Sequence, residues 1–158
     1  AYFKGHATGS RFLHLATHGY LDAASPMYSG LLFSDGMLQT YEIFNMAIDA
    51  ELVTLSACQT GLGRLKGGEG LVGISRAFLF AGSPSVIASL WSVADQATAP
   101  FMTEFYRNLN RGMSKAEALR EAKRWMLTRA EHPEPGGKGG PYDHPFFWAP
   151  FILIGESR

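Results

Sequence analysis

Glu51-Leu-Val-Thr-Leu-Ser-Ala-Cys58-Gln-Thr-Gly-Leu-Gly63 is the stretch whose reading decides the fold. Leu52 to Leu55 form an apolar run without polar alternation, the pattern of a strand buried on both faces of a parallel sheet. The chain then turns abruptly into small and glycine-rich residues, and its only cysteine, Cys58, sits at that turn. In open α/β sheets, ligands and chemistry collect beyond the carboxyl ends of the strands. A thiol at such a place is either a displayed reactive group or a small hydrophobe that ends a strand.

On the N-terminal side, Arg11 to Ala16 reads as a second short strand, ended by Thr17-His18-Gly19. Leu31 to Phe33 and Met37 to Gln39 flank Ser34-Asp-Gly36, a turn that favours a hairpin, and Tyr41 to Met46 suits one or two helical turns. On the C-terminal side, Leu71 to Ala81 is apolar nearly all round and predicts a buried helix closed by Gly82. Ser85 to Leu90 is a third strand. Asp95 is placed to cap a helix carrying Phe101, Phe105 and Leu109, in which Pro100 requires a late start or a bend. Ser114-Lys-Ala-Glu117 is a capping box for a further helix with Leu119, Ala122 and Met126 on one face. Glu131 to Pro145 reads as a Pro/Gly-rich loop and Phe147 to Ile154 as a final strand. Strands alternating with helices predict a layered α/β fold with a mostly parallel sheet.

The 158 residues suffice for one domain that buries roughly 70% of its unfolded surface. Fourteen basic and 14 acidic side chains give zero formal charge, so neither nucleic acid nor an anionic membrane is an expected partner. A single cysteine forms no internal disulfide; with no signal peptide in view, a cytoplasmic setting is expected. No apolar run approaches the ~18 residues of a membrane span.

His18 and Cys58 both follow directly on short apolar strands. If those strands are neighbours, the two side chains meet at one edge of the sheet. An imidazole there can take the thiol proton or hold a thiolate–imidazolium pair. The backbone N–H groups of Gly19 and Cys58 are candidate oxyanion donors. Other motifs carry less. His14 and His18 sit on one strand in this reading, but zinc needs further ligands and no Cys/His cluster supplies them, so His14 is expected in the core. The loop Gly61 to Gly70 matches neither phosphate-binding glycine pattern, since position 66 is Lys, and is expected to form a mobile rim. Gly73-Ile-Ser75-Arg-Ala77 lacks the closing glycine of a nucleophile elbow. No metal or cofactor is implied.

Leu13-His-Leu-Ala-Thr-His18-Gly, Ser29-Gly-Leu, the 52–63 stretch, Gly68-Glu-Gly70, Arg76-Ala-Phe, Ala88-Ser-Leu-Trp91-Ser-Val and Phe147-Trp-Ala-Pro-Phe151 occur in one order. That order resembles the CHAT domain, a caspase-like family related to separase and often found after tetratricopeptide repeats. The resemblance implies a caspase-like three-layer α/β/α sandwich, here residues 1–158 as the C-terminal part of one such domain, lacking its first strands. It implies a cysteine endopeptidase acting on a protein or peptide substrate, with His18 as base and Cys58 as nucleophile. Upstream tetratricopeptide repeats or a sensor domain are the implied partners. Trp91 and its neighbours would wall the specificity pocket. The family's two acidic residues after Trp-x-Val are here Ala94 and Asp95, so Asp95 alone is left to attract a basic side chain; Glu69 either fixes the glycine loop or faces substrate. The alternative is a non-catalytic interaction or regulatory module on the same fold.

Overall fold

The computed structural model describes residues 3, 5, 7–56, 58–59, 69–129 and 142–158. In chain order the strands and helices are β1 (Phe12–Leu15), β2 (His18–Tyr20), β3 (Gly30–Phe33), β4 (Gly36–Gln39), α1 (Thr40–Phe44), β5 (Leu52–Leu55) and β6 (Cys58–Gln59). They continue with α2 (Glu69–Phe80), β7 (Ser85–Ser89), α3 (Asp95–Asn110), α4 (Lys115–Arg129) and β8 (Phe151–Gly155). The chain divides into two compact units, Ala1–Ser92 with Ile154–Glu156, and Val93–Leu153 with Ser157–Arg158. The fold is mixed α/β, as the alternation of strands and helices predicts.

The main sheet has the order β1-β5-β7-β8; its strands β1, β5 and β7 belong to the first unit, with β1 parallel to β5 and β5 parallel to β7. Every residue of β5 and β7 is buried, which is why neither strand shows polar alternation. Strand β1 alternates instead, with Leu13 and Leu15 buried and His14 exposed. His14 is therefore not the core histidine expected from sequence; it lies on the open side of a sheet-edge strand. The second sheet has the order β4-β3-β2-β6. Its β3–β4 hairpin turns at Ser34-Asp35, and Gly36 takes φ 133°, beyond the reach of most side chains. Strand β2 is unforeseen: three residues are too few for an alternating pattern to register.

Helix α2 ends in a Schellman motif, with Ser83 N–H donating to the Phe78 carbonyl at 3.2 Å, Gly82 N–H to Leu79 at 3.2 Å, and Gly82 at φ 118°. Its burial is one-sided rather than all round. Ile74, Ser75, Ala77 and Phe78 are wholly covered, while Phe80 is 73% exposed and packs edge-on to Phe44 at 5.3 Å.

In the second unit, α3 begins at Asp95 and runs through Pro100, so the helix neither starts late nor stops there. Its N-cap is Ala94, in extended conformation and without a side-chain cap bond; Asp95 is one position too far along to cap. Phe101 and Phe105 are fully buried, and Phe101 stacks on Phe151 at 4.4 Å. The Ser114–Glu117 box forms as predicted: Ser114 Oγ donates to the Glu117 carboxylate at 2.7 Å, and Glu117 N–H donates back at 3.3 Å. The Ser114 hydroxyl and backbone N–H, both donating to the carboxylate, with Arg120 nearby, hold the Glu117 carboxyl below its ordinary pKa. Strand β8 starts later than residue 147 because Pro145–Phe147 form a 3-10 turn capped by His144. The predicted 131–145 loop lies outside the described residues up to 141. No helix among the described residues is long and apolar enough to cross a membrane.

Candidate active site

The site grows from two adjacent parallel strands. Leu15 and Leu55 are register partners at the ends of β1 and β5. Ser56 N–H donates to the Leu15 carbonyl at 3.1 Å, so the strands leave the main sheet still joined. Three residues beyond each leucine the chains pair again, as parallel β2 and β6, with His18 opposite Cys58 and Gly19 opposite Gln59. Neighbouring strands stand about 4.8 Å apart, so the histidine and cysteine backbones are held at that spacing by two sheets in succession. The sequence leaves their adjacency conditional on strand order; the register supplies it.

On its other side β2 pairs antiparallel with β3, His18 opposite Leu32, Gly19 opposite Leu31 and Tyr20 opposite Gly30. Gly19 is buried between these strands while His18 and Tyr20 are exposed. The Thr17 hydroxyl donates to the Leu32 carbonyl and ties the residue before His18 to the hairpin. Gly30 is required: a Cβ there would lie 2.3 Å from the Leu38 carbonyl oxygen. The row Leu32–Met37 beside His18 is not anticipated from sequence. Leu31 is buried and Leu32 exposed, a difference between two adjacent leucines that is legible only once β2 is known to pair there.

The other candidates stand on separate elements. His14 lies on β1 rather than on one strand with His18, and burial of part of its surroundings lowers its pKa from 6.5. No group of three His, Cys, Asp or Glu suited to a metal occurs among the described residues. Ser75 is fully buried inside α2, which agrees with setting aside a serine nucleophile. Trp91 follows β7 in the first unit, 36% exposed, with its carbonyl accepting from Ser89 Oγ at 2.6 Å. Asp95 is exposed in the first turn of α3, in the second unit. Glu69 opens α2, and the expected mobile rim before it falls on residues 60–68, outside the described ones.

The chain is 32% identical over 121 residues, 77% of its length, to tetratricopeptide repeat protein 28 of Mus musculus. It is 29% identical over 121 residues to the Homo sapiens protein of the same name, and it spans only 4% of the length of either relative. The model of the CHAT domain matches residues 3–156, nearly the whole chain with both His18 and Cys58 inside it; the chain belongs to the CHAT domain family.

Proposed function

We propose that this domain is a cysteine endopeptidase core with His18 and Cys58 as its catalytic pair. The observation that supports it is their register pairing, three residues beyond two parallel strands. In this reading His18 takes the Cys58 proton and Sγ attacks the peptide carbonyl carbon. The developing oxyanion is held by the Gly19 and Cys58 amides. The C–N bond then breaks, His18 returns the proton to the leaving amine, and water hydrolyses the acyl-enzyme. Trp91, just past β7 in the same unit as the pair, would wall the pocket for the residue before the cleaved bond. The relatives are tetratricopeptide repeat proteins, which supports repeats as the partner that presents substrate or controls access.

The test is labelling of Cys58 by a thiol-reactive probe at pH 6. A free thiol, with pKa about 8.5, is roughly 0.3% thiolate there; a pair with pKa near 6 is about half thiolate. After discounting the weaker nucleophilicity of a low-pKa thiolate, labelling should be about tenfold faster than for a free thiol. Cys58→Ala abolishes it and His18→Ala slows it. Labelling at the free-thiol rate would instead favour a non-catalytic interaction module.

A further inference from the structure

We propose that Leu32 and Met37 form the subsite for an apolar residue immediately after the cleaved bond, on the leaving-group side. The inference rests on the peptidase reading and deepens it. Register partners across a sheet share a face. His18, Leu32 and Met37 are successive partners across β2, β3 and β4 and so form one row, and Cys58 is the register partner of His18 on its other side. Gly19, Leu31 and Leu38 are buried on the opposite face, whereas His18 is exposed, Leu32 is 38% exposed and Met37 is half-buried.

The order within the row carries the argument. His18 stands between the position of the nucleophile and Leu32. The carbonyl carbon must bond to sulfur, and the departing amine must lie within about 3 Å of the imidazole that protonates it. The peptide beyond that amine therefore leaves over the side of His18 away from Cys58, which is the side of Leu32. Strand spacing of about 4.8 Å puts Leu32 one strand and Met37 two strands from His18, while an extended peptide advances ~3.3 Å per residue. The first residue past the cleaved bond thus meets Leu32, and the longer side chains reach Met37.

The surface has a sign as well as a shape. Leu32 and Met37 carry no charge, the row on one side is Tyr20, Gly30 and Gln39, and the hairpin turn on the other side carries the exposed Asp35. An acidic residue arriving there would lose water without gaining a counter-charge from this hairpin, whose one charged side chain is Asp35, whereas Leu, Met or Phe would cover exposed apolar surface. The Thr17 hydroxyl on the Leu32 carbonyl fixes this shelf to the segment that carries His18.

Digestion of a proteome-derived peptide library, with sequencing of the new N-termini, tests the inference. The expected result is enrichment of Leu, Met and Phe over Asp and Ser at the first position by about tenfold, the discrimination typical of an apolar subsite. In Leu32→Asp that ratio should fall to near one, and in Met37→Ser it should fall for Phe and Met more than for Leu. Leu32 is only partly covered, so its replacement opens no core cavity, and the wild-type profile stands as an independent measurement. Cleavage without apolar enrichment, or enrichment unchanged in Leu32→Asp, overturns the subsite and leaves the dyad standing. Absence of cleavage, with labelling of Cys58 at the free-thiol rate, overturns both.

Discussion

At the scale of single residues, His14 and Gly30 show how local surroundings set behaviour. His14 is exposed, yet the cleft it shares with Phe3, Phe12 and Phe33 desolvates its ring and lowers its pKa from 6.5. A histidine whose folded pKa lies below its unfolded value binds more protons when unfolded, so folding resists protonation there. Above pH 6.5 His14 contributes nothing; as pH falls below 6.5 stability is lost, until the folded pKa is passed. Urea midpoints measured from pH 7.5 to 5 should therefore fall less in His14→Gln than in the wild type, and parallel pH profiles would refute the assignment. Gly30 acts through contact. An added Cβ would stand 2.3 Å from the Leu38 oxygen and 2.9 Å from Gln39 Cα, both backbone atoms of the paired strand. Gly30→Ala is expected to cost about 1–3 kcal/mol, lowering Tm by several degrees in a thermal melt. The Ser29-Gly30-Leu31 block, visible in the sequence only as a family signature, thus has a steric cause.

At the scale of elements, what was legible depended on how local the signal is. The Ser114–Glu117 box and the Gly82 terminus are written within four or five residues, and both form as read. Asp95 misled because an acidic residue suits both the cap and the first turn, and backbone geometry chose Ala94 as cap. Pro100 does not delay the start of α3, which is anchored by Phe101 and Phe105, both fully buried. That burial outweighs a proline cost of about 3 kcal/mol. The same helix holds a further defect. Asn108 is 3% exposed, its Oδ1 accepts from Arg111 at 3.5 Å, and its Nδ2 has no partner among the described residues. A buried unsatisfied amide costs about 1–3 kcal/mol, and leucine matches its shape closely. Asn108→Leu should raise Tm by a few degrees. A lower Tm would mean that the Arg111 contact outweighs the unsatisfied nitrogen.

At the scale of the whole molecule, the order of the family blocks could be read from the sequence, but their juxtaposition could not. His18 and Cys58 are 40 residues apart, and only the repeated pairing of β1 with β5 and β2 with β6 makes them neighbours. That construction leaves a consequence at its margin. Strand β1 lies at the end of the order β1-β5-β7-β8, so one side of its backbone has no strand partner among the described residues. The chain also carries no net charge at pH 7, which removes the repulsion that keeps copies apart. A strand without a strand partner on one side favours strand-to-strand association, and zero net charge adds little repulsion to oppose it. His14 is the exposed position of β1, and a lysine there would place a charge where a second copy must pair. Sedimentation velocity at neutral pH should show concentration-dependent association of this chain, shifted toward monomer in His14→Lys. Thr103→Lys, an exposed change of the same charge on α3, separates the two causes. If it disperses the protein equally, net charge is responsible and the edge is not; if only His14→Lys does so, β1 is the contact.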